Sequence, residues 1–171
     1  MNRPNFQVPL AVLVALCLIA PLTPLGAHGN SHGKAHMGES KATPAEQNSW
    51  GVAGDPAKVT RVVTVEMSDS MRFSPNSLQV KEGETIRFQV KNTGKVLHEM
   101  VIGTREELDS HAAMMKKYPN MEHEEAYMAH VGPQKTGDIV WLFNRKGSFE
   151  FACLVAGHYD AGMRGTILVS Q

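Results

Sequence analysis

The sequence predicts an all-β sandwich with one inserted helix. Short alternating apolar runs begin near residue 59, turn residues separate them, and a single stretch switches to helical pattern. The runs are VTRVVTVEM (59–67), a short one at Leu78–Val80, TIRFQV (85–90), Leu97–Ile102, IVWLF (139–143), SFEFAC (148–153) and GTILVS (165–170). Glu82-Gly83-Glu84 and Asn92-Thr93-Gly94 turn the chain between them. Seven or eight short strands with such turns form a two-sheet sandwich. The exception starts at Thr104, which caps a helix with Glu107 three residues on, the spacing of a capping box. Good helix formers follow and Pro119 stops them, so the helix covers about 105–118. Met114 and Met115 are expected to pack that helix on the sandwich.

Ahead of the sandwich the texture is different. Arg3 precedes the apolar run VPLAVLVALCLIA (8–20), and Gly26-Ala27 offers small residues for cleavage. This is a secretory signal over 1–27, cut after Ala27. The run is shorter than the ~20 residues of a membrane span. An exported, periplasmic chain with no membrane attachment after signal removal is expected. Residues 28–57 are polar and poor in apolar side chains, and read as a flexible arm. The folded domain then covers 58–171, with a Met- and His-containing insert at about 104–137. Lys plus Arg and Asp plus Glu balance at 17 each, which gives no basis for a nucleic-acid partner. A monomer is expected.

Cys17 leaves with the signal, so Cys153 is the one remaining cysteine. A lone thiol in an oxidising compartment is an intermolecular bridge, a reactive group or a metal ligand. Its surroundings decide. In FACLVAGHYDAGM (151–163), Cys153, His158 and Met163 follow each other with four residues between. His98 stands upstream in KVLHEM, after a turn and at a strand start. A thiolate, two imidazoles and a thioether are the donor set of a blue-copper electron-transfer site. Soft sulfur favours Cu(I) and imidazole suits both oxidation states, so the ion can change state with little ligand movement. Copper would also shield the thiolate from oxidation.

Other chemistries fit less well. A structural zinc site rarely uses a thioether. A cysteine hydrolase places its nucleophile at a helix start or in an electropositive pocket, whereas Cys153 ends a strand. Multicopper oxidases flank the cysteine of such a motif with histidines that reach a copper cluster. Here Ala152 and Leu154 flank it, and no His-x-His pair occurs. The chain reads as no enzyme.

From about Val59 to Gln171 the chain resembles the cupredoxins, the plastocyanin and azurin superfamily. MRFSPNSLQVKEGETIRFQVKNTGKVLHEM and the closing C-x4-H-x4-M motif carry the likeness. The resemblance implies a Greek-key sandwich with copper near one end, His98, Cys153 and His158 as equatorial ligands and Met163 as axial. Within that superfamily the chain is similar to periplasmic copper-tolerance cupredoxins of the CopI type, on its His-bearing arm, the Met- and His-containing insert and the GHYDAGM loop. One departure is plain. Many small carriers follow the upstream His with Asn or Ser, which latches the ligand loops, and here Glu99 follows.

Further His and Met residues gather outside that motif. Met121, His123, Met128 and His130 lie in the insert, and His28, His32 and His36 recur every four residues in the arm, followed by Met37. Thioether with imidazole suits Cu(I), and imidazole near a new amino terminus suits Cu(II). These are candidates for additional, weakly bound copper. His158 is expected to present its ring edge to a transient redox partner, ringed by Leu154, Val155, Ala156, Ala161 and Gly162. Copper tolerance, by copper binding with Cu(I) oxidation or buffering, is the expected function. A soluble shuttle between respiratory redox enzymes is the alternative, but such a shuttle has no use for the extra His and Met residues.

Overall fold

The computed structural model describes residues 45–119, 121 and 123–171. The expected signal segment and His28, His32, His36 and Met37 lie outside the described residues. In chain order the elements are β1 (Gln47–Asn48), β2 (Gly51–Ala53), β3 (Arg61–Ser68), β4 (Arg72–Ser74), β5 (Ser77–Lys81), β6 (Thr85–Asn92), β7 (His98–Gly103), α1 (Arg105–Lys117), β8 (Met128–Val131), β9 (Thr136–Leu142), β10 (Gly147–Ala152) and β11 (Arg164–Ser170). One sheet has the order β1-β2-β9-β6-β3-β4 and the other β5-β11-β10-β7-β8. The β3–β6 and β11–β5 pairs are parallel.

Each of the seven expected strands is present; most alternate and bury one face, while β7, covered by the sandwich on one side and α1 on the other, is buried throughout. In β6, Ile86, Phe88 and Val90 are fully buried and meet Met100, Ile102, Phe151 and Ile167 from the facing sheet. The four strands not expected, β1, β2, β4 and β8, have two to four residues each. Runs that short show no period of their own, and pairing alone defines them.

Two of these correct the arm. Its last part is not free, because Gln47–Ala53 forms the edge of the first sheet and β2 pairs with β9. The cause is Trp50, 4 % exposed, whose ring stacks 6.4 Å from Trp141 while its carbonyl accepts the Trp141 Nε1–H at 3.1 Å. A single large aromatic anchors a stretch whose composition is otherwise that of a linker.

Helix α1 matches its expected span, and the capping box is complete. Thr104 Oγ1 accepts the Glu107 N–H, and the Glu107 carboxylate accepts the Thr104 N–H, each at 3.3 Å. Leu108, Ala112 and Met115 form its buried stripe, packed with Val101, Met128, Ala152, Leu154 and Tyr159 on the outer face of the second sheet. Met115 thus packs as expected. Met114 does not: one residue off the stripe, it is 45 % exposed.

Truncating Trp50 tests the docked edge. Trp50→Ala is expected to destabilise the metal-free protein by about 3–5 kcal/mol, read from urea unfolding. An unchanged midpoint would mean that β1 and β2 only lie on the sheet.

Candidate metal centre

The chemistry lies where β10 and β11 separate. Their last ladder pair is Ala152 with Arg164, and residues 153–163 form the loop between them. The Cys153 N–H donates to the Met163 carbonyl at 3.1 Å, and the Met163 N–H donates to the His158 carbonyl at 3.1 Å. Cys153, His158 and Met163 are therefore tied to one another through the backbone. Gly157 and Gly162 have φ of +90° and +87°, values that L side chains rarely adopt, so these turns need glycine. Arg72 reaches in from β4 to donate to the Ala161 carbonyl at 2.9 Å. Helix α1 braces the other side: the Tyr159 hydroxyl donates to Asp109 at 2.6 Å, and Lys116 pairs with Asp160 at 2.7 Å.

β7 brings His98 against this loop. Cys153 Sγ lies 3.3 Å from His158 Nδ1, and the His98 and His158 ring centres are 4.9 Å apart. Among the described residues, His98, Cys153 and His158 are the one trio whose ligand atoms all lie within 4.8 Å of one another. Met163, fully buried, shares their apolar cluster with Cys153. Of the expected port, His158 is partly exposed, with Ala156 and Ala161 open to solvent. Leu154 is not on that rim. It is 1 % exposed and packs under α1, because it continues the strand alternation of β10 on the outer face.

The donor set fits a soft, redox-active ion. His98 Nε2 is held 3.1 Å from Asp69 Oδ1, while its Nδ1 is buried and has no hydrogen-bond partner. An imidazole fixed at one nitrogen by a carboxylate offers the other as a lone pair. The Asp69 carboxyl is held below its usual range by the Lys95 N–H, with His98 adding to the effect. Burial lowers His158, helped by the nearby His98, which favours the neutral ring that a metal needs. Burial pushes the Cys153 thiol up to about 12, against the pull of the Glu99 N–H, which donates to Sγ at 3.4 Å. The thiol is protonated in the metal-free protein at neutral pH, and a metal must displace that proton.

Glu99 supplies the latch that an Asn or Ser gives in other carriers. Its side chain is 2 % exposed, and Oε1 accepts the Leu154 N–H at 2.7 Å. Oε2 lies 2.8 Å from His130 Nε2. Burial raises the Glu99 carboxyl, opposed by His130 and by the Leu154 N–H.

The insert holds a second, looser cluster. His123 and His130 have ring centres 6.0 Å apart, and His111 of α1 stands 4.7 Å from His123. Both His123 ring nitrogens are buried without a hydrogen-bond partner. Met121 and Met115 line the same cavity of about 1050 Å³ as His123, His130 and Glu99. Met128 lies on the His130 face of β8 but packs in the apolar cluster under α1. His111 was missed from the sequence. Its spacing from Leu108, Ala112 and Met115 places it beside the buried stripe, and that was the available signal. Asp69 left no signal, since its role depends on a loop 29 residues away from His98.

Residues 59–170 match the family model described as copper binding proteins, plastocyanin/azurin family. The chain belongs to that family, the cupredoxins. It is 45 % identical over 141 residues to the copper-resistant cuproprotein CopI of Rubrivivax gelatinosus, covering 82 % of this chain and 84 % of that one. A CopI of Vibrio cholerae is 32 % identical over 161 residues, covering 88 % and 94 %. These relatives make the chain a CopI-type cupredoxin. Among solved structures, auracyanin from Roseiflexus castenholzii superposes with a TM-score of 0.56 at 19 % identity, over 66 % of this chain and 98 % of that one. Auracyanin B superposes with 0.56 at 21 %, over 75 % and 100 %. Both show the same fold. The cofactor of this fold and donor set is copper in a type 1 centre.

Two outcomes follow from the trio. Asp69→Ala should weaken copper binding by about 10- to 100-fold, as loss of a carboxylate behind a ligating histidine does, read by competition with a chelator. Copper loading at pH 7 should release the Cys153 proton, so apparent affinity rises with pH by up to about tenfold per unit from this group. A pH-independent affinity would contradict a buried, protonated thiol.

Proposed function

We propose that this protein acts in copper tolerance in the periplasm, binding copper at a type 1 centre and at a second cluster in the insert. His98 Nδ1, His158 Nδ1 and Cys153 Sγ would hold the resident copper, with Met163 as a weaker fourth ligand. The observation that carries this is the buried, unpartnered Nδ1 of His98 beside a buried thiol and a second imidazole. Bound there, copper supplies one-electron chemistry between Cu(I) and Cu(II). The chain's part is to hold the two imidazoles and the thiol close, keep water off the sulfur, and leave the His158 edge accessible.

Copper arriving as cargo is assigned to His123, His130 and Met121, joined by His111. His123, with two buried nitrogens and no partner, is the group most in need of a ligand there. Burial and the neighbouring His123 and His130 lower His111, which keeps its ring neutral for a metal. Met128 is packed under α1 and would not reach that copper. His28, His32 and His36 would add cupric sites in the arm. The relatives named copper-resistant cuproproteins support tolerance over electron shuttling. Export follows from the signal over 1–27, and among the described residues no helix is long and apolar enough to cross a membrane. Ala152 and Leu154 beside Cys153 support a binding protein, not an oxidase.

Cys153→Ala should abolish the visible thiolate-to-copper band, whereas Met163→Leu should retain copper with an altered reduction potential. A band that survives Cys153→Ala would remove the type 1 assignment. Deleting the gene should sensitise cells to copper and leave respiration intact. Normal copper resistance with loss of a respiratory activity would instead favour the shuttle.

A further inference from the structure

β7 is the wall between the two clusters. Successive residues of a strand point to opposite faces. His98, Met100 and Ile102 enter the sandwich interior, and Val101 enters the cluster under α1. Glu99 shares the outer face, where it pairs in register with His130 of β8. One position along the strand therefore separates a proposed ligand of the resident copper from the group facing the cargo cluster.

A carboxylate at 2 % exposure is costly unless its oxygens are used. Both are used, and on different sides. Oε1 accepts the N–H of Leu154, the residue after Cys153, at 2.7 Å. Oε2 faces His130 Nε2 at 2.8 Å, a contact that calls for a hydrogen on that nitrogen. An imidazole that donates through Nε2 keeps its lone pair on Nδ1 for a metal. The Glu99 backbone N–H also points at Cys153 Sγ, at 3.4 Å. Glu99 thus makes polar contacts with both the Cys153 loop and His130.

We propose that Glu99 is a positioning residue shared by the two sites: it fixes the Cys153 end of the ligand loop and orients His130 for a cuprous ion beside His123, so that filling one site is felt at the other. This rests on the reading of the His111–His123–His130 cluster as a cargo site. The isosteric variant Glu99→Gln is informative. Its amide oxygen still accepts the Leu154 N–H, but its NH2 then faces His130 Nε2. Two donors cannot meet, so His130 takes the other tautomer, with its hydrogen on Nδ1, and loses the lone pair that a metal would use.

The test uses the full exported chain carrying oxidised copper, with Ag(I) added stepwise as a redox-inert substitute for Cu(I). Ag(I) uptake, retained copper and the visible band are followed together. The wild type should take up Ag(I) at the insert with a shift of the band and no loss of resident copper. His123→Ala should lose that uptake and that shift, the Ag(I) it still binds counting the arm. Glu99→Gln should keep a coloured centre, bind Ag(I) at the insert about 10- to 100-fold more weakly, and show no band shift when the insert is filled at higher Ag(I). Wild-type affinity and shift in Glu99→Gln would overturn the proposal and leave the cargo site standing. Identical Ag(I) binding in wild type and His123→Ala would overturn the cargo site and the proposal together. If Glu99→Gln does not fold, His130→Gln breaks the same link from the more exposed side. Its band should no longer shift when silver is added, and a wild-type shift there would overturn the proposal.

Discussion

One backbone hydrogen bond closes the working end of this molecule. The Cys153 N–H donates to the Met163 carbonyl, just past the last ladder pair of β10 and β11. It turns the segment between them into a loop of fixed span. The chain must fit His158 and two left-handed glycines into that span, and the four-residue spacings on either side of His158 are what this requires. The sheet thus sets the separation of three of the four proposed sulfur and nitrogen donors. The fourth, His98, arrives on β7, every residue of which is buried.

The period of a strand does the rest. Because β7 alternates, it serves the sandwich interior with His98 and the helix side with Glu99. The inserted helix is then more than a decoration on the sandwich. Its buried stripe covers the outer face of β7, β8 and β10, and its Asp109 and Lys116 hold the ligand loop through Tyr159 and Asp160. The same packing brings His111 toward His123. Helix, loop and second cluster are parts of one arrangement around β7.

Much of this was legible in the chain itself. Most of the seven strands announce themselves because burial of one face demands alternation, β7 does so as a short apolar run after a turn, and the helix because its cap has a fixed spacing. The donors of the first cluster could be read because three lie in one short motif. What could not be read depended on partners far away in sequence. Trp50 is buried because Trp141 and Tyr127 offer it their rings, so the edge strands looked like linker. Leu154 seemed to belong on a solvent rim until α1 covered it. Met114 and Met115 look alike in the sequence, and only the phase of the stripe tells the packed one from the exposed one. Glu99 was visible as a departure from its neighbours in the family, but its two contacts are set by pairing with β8 and by the start of the ligand loop.

The central claim is that the scaffold holds the donors in place before copper arrives. Amide NMR spectra of the metal-free and Cu(I)-loaded protein test it directly, since Cu(I) is diamagnetic. With a single Cu(I) per chain, at the resident site, the account predicts changes confined to Asp69, residues 96–99, His130 across from Glu99 and the loop 153–163, with the β7–β10 and β10–β11 ladders unaltered. Shifts spread across both sheets, or ladder amides of β7 and β10 that become protected only after loading, would show that copper builds the site instead of entering it.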